Sequence, residues 1–356
     1  MAKTKIAVLF GGKSGEHEVS CVSASYVINA IDKEKYDIIK IGITKDGEWL
    51  LHRGSVEAMT DGSWVQLSKA DLAENPEECS FEVLGSGNRS LKEIADFALP
   101  VLHGPNGEDG TVQGVLELIN IPYGGCGVLG CATAMDKIVA KEIFANAGLK
   151  QTPYVGLTSS EIGPEIIGKI NEELKYPLFV KPANMGSSVG ITKVSEAAKL
   201  EEALNIAAKY DSRIVVEQGV NCRELEVAIM GNEELVAGEV GEIIPGAEFY
   251  DYNAKYACAE SRTLIPAAIS EEQKKYIQES AKLAYRALGC FGFSRVDFMM
   301  DKDSGEIVIN EINAIPGFTS ISMFPMLMQA AGMTYPEIVE RIIQLGYERY
   351  NAKNNR

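Results

Sequence analysis

The stretch "YPLFVKPANMGSSVGITKV", residues 176–194, decides how the middle of the chain is read. Two short apolar runs flank a loop of glycines and serines, with one lysine at its mouth. Such a loop can be a tight surface turn and nothing more. It can also be a loop whose bare backbone N–H groups come close to a phosphate. The stretch alone does not separate the two. It does fix something local, because "PLFVKP" and "VGITKV" read as the two strands of a hairpin. The middle of the chain is therefore expected to be a small α+β unit with an antiparallel sheet.

Outward from this loop, strands and helices alternate. "KIAVLF", "YDIIKIGIT" and "FALPVLHG" read as strands, and "DGTVQGVLELIN" as a helix beginning near Asp109. This is a doubly wound α/β pattern. Roughly residues 45 to 96 are poorly periodic and read as an insertion of small strands and loops. "ATAMDKIVAKEIFANAGLK" reads as one helix capped by Gly148. A helix from about Ile162, another from Ser195 and the strand "RIVVEQ" complete the middle unit. "RELEVAIMG" and "ELVAGEVGEII" follow as alternating strands, then the helix "SEEQKKYIQESAKLAYRALG". The strands "FSRVDFMMD" and "EIVINEINA" come next, and two short helical segments finish the chain. Three units are expected: 1–131, 132–220 and 221–356.

The chain has 356 residues, 46% apolar and 24% charged, which suits a soluble protein of two or three domains. No apolar run approaches the ~20 residues that span a bilayer. "IAVLF" near the start is too short for a signal peptide and reads better as a buried strand. Cysteines 21, 79, 126, 131, 222, 258 and 290 show no zinc-like spacing, so reduced thiols and a cytoplasmic location are expected. A net charge of −16 disfavours nucleic acid and leaves small anions that meet a local positive site.

The chemistry begins in the last strand pair. Arg295 and Asp297 are two apart and share one face, as do Glu311 and Asn313. The connection "DKDSGE" is rich in turn residues. A turn centred near Asp303 and Ser304 places Asp297 opposite Glu311. Like charges so placed destabilise a sheet, and a hard cation such as Mg²⁺ relieves them. A solvated polar face is the plainer reading, but the neighbours are strongly apolar. Lys181 ends an apolar strand at the glycine loop, and Lys137 begins a helix. Each alone reads as a surface charge. Together with a metal site they suit a nucleoside triphosphate. The loop matches neither GxxxxGK[ST] nor GxGxxG.

With these motifs in hand, the chain resembles the D-alanine–D-alanine ligases of the ATP-grasp superfamily. The stretches "LFGGKSGEHEVS", "LPVLHGPNGEDGTVQG", "MDK", "VKPANMGSSVGITKV", "FYDYNAKY", "GFSRVDF" and "NEINAIPGFTSIS" fit the family pattern in the family's order, nearly end to end. Residues 45 to 96 fit least, and resemble the longer N-terminal regions of Gram-positive members and of the vancomycin-resistance ligases. The resemblance implies a three-domain ATP-grasp fold with an N-terminal doubly wound α/β domain.

It also implies residue roles. Glu16 would bind the ammonium of the first D-alanine, in a network with Ser187 and Tyr256. His103 would lie near that substrate's carboxylate. Arg295 and the backbone N–H of Gly317 would stabilise the developing oxyanion. Asp297, Glu311 and Asn313 would hold Mg²⁺ or Mn²⁺, two ions in all. Lys137, Lys181, Lys255 and Asn310 would face ATP. Glu217, Gln218 and Val220 would line the adenine, and Glu224 would bind the ribose. Lys255 and Tyr256 would sit in a loop, 246 to 262, that closes over the site. Ser322 and Met323 would meet the second substrate. Plain alternatives stand beside these: a lone histidine is more often structural, and the aromatics of "FYDYNAKY" pack as readily as they bind.

The implied reaction joins two D-alanines through an acyl phosphate, for peptidoglycan precursors, with small-molecule partners only, in a homodimer. D-serine or D-lactate as second substrate is the alternative, as in resistance ligases. There an arginine often stands at the place of Met323. Another ATP-grasp ligase, or a nucleotide-binding protein without catalysis, are the remaining rivals.

Overall fold

The computed structural model describes residues 2–84, 89–244 and 262–354. Strands β1 (Thr4–Gly11), β2 (Tyr36–Ile43), β3 (Trp49–His52) and β4 (Phe97–Pro100) form the first sheet, ordered β3-β2-β1-β4. β1 runs parallel to β2 and β4, and β3 is an antiparallel edge. From Ile6 onward every residue of β1 is buried. That burial explains its unbroken apolar run, since a parallel strand is covered on both faces.

The stretch after β2 departs from expectation. Among the described residues, only β3 is a strand there. The rest is short helix: Glu57–Thr60, Trp64–Glu74, Pro76–Cys79 and Leu91–Ile94. The anchor is Trp64, fully buried and edge-on to Phe10 at 4.8 Å between ring centroids. Its ring lies over β2 at Gly42, where an added Cβ would stand 2.1 Å from the indole. Only Trp64 and Ser68 of that helix are buried, too few to print a helical period on the sequence.

The second sheet holds β5 (Tyr154–Thr158), β6 (Leu178–Pro182), β7 (Thr192–Val194) and β8 (Arg213–Gln218), ordered β5-β8-β6-β7 and antiparallel throughout. Helices Pro164–Glu173 and Leu200–Ala207 cover it. The third is β9 (Cys222–Gly231), β10 (Leu235–Ile244), β11 (Arg262–Leu264), β12 (Phe293–Asp301) and β13 (Ile307–Asn313), ordered β11-β10-β9-β12-β13 and antiparallel. Helix Glu271–Ala287, opened by a Ser270/Gln273 capping box, packs on this sheet.

Two helix expectations need correction. "ATAMDKIVAKEIFANAGLK" is two helices, Val128–Met135 and Lys137–Asn146. Asp136 divides them because its carboxylate accepts the N–H groups of Ile138 and Val139, at 3.0 and 3.1 Å, and so caps a new helix. The last helix, Tyr335–Asn354, has 20 residues and is not short. It returns to the first sheet, where Ile338, Val339 and Ile342 share one core with Ile6, Val8 and Phe97. The helix expected near Asp109 starts at Thr111, after Gly110 at φ 95°.

Candidate active site

The β12–β13 hairpin pairs Asp297 with Glu311 and Arg295 with Asn313, as the sequence implied. The route to that register was not foreseen. Phe298 faces Ile309, yet Asp297 faces Glu311, so Asn310 is an extra residue bulged out of the ladder. Without Asn310 the strand would read "IVIEIN", a plain alternation. The bulge sets Asn310 and Glu311 side by side, both half-buried, between buried Ile309 and Ile312.

On the other side of Asp297 stands Glu226 of β9. Glu226, Asp297 and Glu311 thus form one row across three strands, and the sequence reading missed the first. Its signal was Glu224 and Glu226 at strand spacing in "RELEV". Arg295 answers the row's charge. Its Nε and Nη2 donate to the two oxygens of Asp297 at 2.7 Å each, and Nε lies 2.9 Å from Glu226. The Nδ2 of Asn313 donates to Asp297 at 3.0 Å. The donors are hard oxygens of the kind Mg²⁺ takes. In this arrangement the protein's own cations face them, and no three Asp, Glu, His or Cys side chains among the described residues converge on one metal-sized point.

A second charged group lies at the end of β8. Glu217 is buried, with Lys181 Nζ at 3.0 Å from one oxygen and Lys141 Nζ at 3.5 Å from the other. Burial alone would raise this carboxyl. The two ammonium groups outweigh it and hold Glu217 at about 2. Burial also works to lower Lys181, but the charges of Glu217 and Glu311 prevail and raise it. Lys141 is 2% exposed and lies 5.2 Å over the Tyr154 ring, and burial holds it below the ordinary lysine range. The sequence reading missed Lys141. It stands four residues after Lys137 in "MDKIVAK", one helical turn along the same face. Lys137 Nζ donates to the carbonyl of Met185 at 2.7 Å and lies 4.0 Å from Glu311.

The loop between β6 and β7 crosses this space. Asn184 is tied to Asp211 through its backbone N–H at 2.8 Å and its side chain at 2.9 Å. Two serines, Ser187 at φ 49° and Ser188 at φ 62°, take the left-handed turn, with Gly190 at φ 72°. Ser187 Oγ donates to Glu16 Oε1 at 2.5 Å, which joins the loop to the first sheet's β1–helix connection. Gly186 permits that approach, since a Cβ there would stand 3.1 Å from Glu16 Oε2. Glu108 also borders Gly186 and was not singled out from the sequence, although it lies in "NGEDG".

His103 is 5% exposed, and burial holds its imidazole below the usual range. Nδ1 contacts the carbonyl of Ile315 at 3.0 Å, so Nδ1 carries the proton and Nε2 accepts from Ser23 Oγ, also at 3.0 Å. His103 thereby braces the segment that carries Gly317. Gly317 lies against Ser322, whose Oγ accepts from Thr319 N–H at 2.9 Å. Met323 is 5% exposed and belongs to the core. Gln218 Oε1 accepts from Lys175 N–H at 3.0 Å, and Val220 lies in the half-buried crossing from β8 to β9. Glu224 is half-buried on β9, paired with Met299. Lys255, Tyr256 and most of the expected closing loop lie outside the described residues.

Known proteins match the chain along its length. Two family models fit: D-ala D-ala ligase N-terminus over residues 5–126, and D-ala D-ala ligase C-terminus over residues 143–344. A D-alanine–D-alanine ligase of Acetivibrio thermocellus is 47% identical over 366 residues, covering 98% of this chain and 97% of that protein. One of Thermoanaerobacter sp. (strain X514) is 48% identical over 356 residues, 99% of each. Among solved structures, the VanG D-Ala:D-Ser ligase from Enterococcus faecalis is 40% identical, covers 97% of this chain and 100% of its own, and has a TM-score of 0.84. The D-alanine–D-alanine ligase from Coxiella burnetii is 31% identical, covers 100% and 97%, and also scores 0.84.

Proposed function

Because the chain belongs to the D-alanine–D-alanine ligase family, with its ATP-grasp fold, we propose that it joins two D-alanines at the expense of ATP. The products are D-alanyl-D-alanine, ADP and phosphate, and the dipeptide serves peptidoglycan precursor synthesis. The observation that carries the reading is the Ser187–Glu16 bond. It ties the glycine loop to Glu16, and the same loop meets Lys137, which lies 4.0 Å from the one carboxylate of β13, Glu311.

The γ-phosphoryl group of ATP passes to the carboxylate of the first D-alanine, giving an acyl phosphate. The amine of the second D-alanine attacks the carbonyl, and the tetrahedral intermediate collapses with loss of phosphate. Lys137 and Lys181 offset phosphate charge, and Glu217, Gln218 and Val220 border the adenine. Asn310 stands beside Glu311 on the phosphate side, and Glu224 takes the ribose. Arg295 and the N–H of Gly317 hold charge on the carbonyl oxygen. Asp297, Glu311 and Asn313 would hold one or two Mg²⁺ or Mn²⁺ ions, which supply charge neutralisation to the phosphates when bound. Glu16 holds the first ammonium with Ser187 and Tyr256, while His103 keeps the carboxylate side in place. Lys255 and Tyr256 shield the water-sensitive acyl phosphate. No helix among the described residues is long and apolar enough to cross a membrane. A cytoplasmic homodimer fits the family.

A second reading, D-serine as second substrate, draws on the likeness to the Enterococcus faecalis enzyme. Met323, next to Ser322, offers no hydrogen bond to a hydroxyl, and an unpaired hydroxyl costs about 1–3 kcal/mol. Competition among D-alanine, D-serine and D-lactate, at equal concentration with labelled D-alanine and ATP, tests this. The expected order is D-alanine, then D-serine, with D-lactate far behind. If D-Ala–D-Ser outruns D-Ala–D-Ala at pH 8, the second reading takes its place.

A further inference from the structure

We propose that Glu108 is a second carboxylate for the ammonium of the first substrate, facing Glu16 across Gly186, and that it releases a proton when that ammonium binds. The proposal rests on the reading of Glu16 as the amino-acid site.

The geometry comes first. Glu16 has two oxygens with different duties. Oε1 accepts from Ser187, while Oε2 faces Gly186 and Gly104, whose added Cβ atoms would stand 3.1 and 2.9 Å away. The same Cβ on Gly186 would lie 3.9 Å from Glu108 Oε1. The two carboxylates therefore both border the place that a Gly186 side chain would take, which the glycine leaves open. Glu108 is held there by the N–H of Gly104, which donates to Oε1 at 2.8 Å. An ammonium group is small, carries its charge on three donors, and fits between two carboxylates.

The charges around Glu108 come from four elements. Glu16 on the β1–helix connection and Glu311 on β13 oppose its ionisation, as does burial, while Lys137 on its helix and the Gly104 N–H favour it. The neutral thiol of Cys131 is a further neighbour of Glu108, and the neutral ring of His103 lies beside Glu16. Burial, with Glu16 next, prevails and pushes Glu108 up to about 8. At pH 7 Glu108 thus keeps its proton while the site is empty. An entering ammonium stabilises the ionised form of Glu108, and its proton leaves to solvent. A bland alternative exists, in which Glu108 merely holds the Gly104 turn. Glu108→Gln keeps that acceptor and removes only the ionisable group.

The test is calorimetry of D-alanine binding to the full chain with Mg²⁺ and a non-hydrolysable ATP analogue, in buffers of different ionisation enthalpy. Wild type should release nearly one proton more than E108Q at pH 7, and the difference should vanish by pH 9. In steady state, E108Q should raise KM for the first D-alanine by about tenfold, the scale of one lost charge-assisted hydrogen bond. Its kcat should change little, and the fall of that KM between pH 7 and pH 9 should be lost. E108D should restore proton release, and it carries the test if circular dichroism shows E108Q misfolded. Equal proton release from wild type and E108Q, with turnover normal, overturns the proposal alone. A wild type that neither binds D-alanine nor turns over ATP with it overturns the Glu16 reading, and the proposal falls with it.

Discussion

Two hairpins line the candidate site, and they are built in opposite ways. β12–β13 is a ladder of six paired positions, flanked by β9, with its turn ordered by Asp301 through Ser304. Its functional side chains are placed by the pleat and by one bulge. β6–β7 has three paired positions and a loop, 183–191, that the ladder does not reach. That loop is placed from outside: by Asp211, by Lys137 and by Glu16, on three other elements. A ladder fixes position without regard to charge. A loop held by hydrogen bonds to charged side chains can exchange those partners for a ligand's. The first hairpin is the anvil of the site, and the second has the construction of a cover.

The contrast breaks most sharply at Glu311. Glu311→Gln is nearly isosteric and half-buried, so the ladder and the thermal midpoint should stay as they are. Turnover should fall on the order of 10³, as when one strong transition-state contact is lost. Single-turnover phosphate release measures it. Turnover near that of wild type would mean that the ladder carries structure alone. The corresponding change on the cover is Asp211→Ala, which removes both bonds to Asn184 and the bond from Arg213 N–H. Lost hydrogen bonds of about 1–3 kcal/mol translate to a rise of roughly ten- to a hundredfold in KM for ATP. A change in kcat with KM unmoved would show that the loop is placed by its own backbone.

The same contrast explains what the sequence disclosed. Asp297 opposite Glu311 was legible because strand period and turn residues act locally. The bulge at Asn310 was not, since nothing in "IVINEIN" says which residue leaves the ladder. Glu226 reaches the row only through the pairing of β9 with β12, about seventy residues apart in the chain. Glu108 and Lys141 sat inside quoted motifs, but each looked like an ordinary surface charge until the structure set Glu108, half-buried, beside Glu16 and buried Lys141 against Glu217. The break at Asp136 was hidden because helical apolar spacing continues through it. Residues 57–79 are anchored by a few buried side chains, Ala58, Met59, Trp64, Ser68 and Cys79, at no regular spacing, so no period is printed there.

The smallest expected effect lies in the strained backbone of the cover. Left-handed backbone costs an L-residue roughly 1–2 kcal/mol, and Ser188 holds it at φ 62° beside Ser187 at 49°. Glycine would relieve that strain but adds about 0.5–1 kcal/mol of unfolded-chain entropy. The change also removes the serine's own contact, so Ser188→Gly should shift stability by less than about 1 kcal/mol in either direction. Two backbone bonds, Val189 N–H to Gly186 and Ile191 N–H to Ser188, remain to shape the turn. The serine pair narrows the loop's choices before any ligand arrives, so its loss should raise KM for ATP about two- to threefold. Strand residues of β12 and β13 hold no such strain, and glycine there removes packing without relief. Calorimetric melting of Ser188→Gly, beside its KM for ATP, reads both quantities. A melting loss of 1 kcal/mol or more would show that the Ser188 side chain, rather than its strained backbone, holds the cover in place.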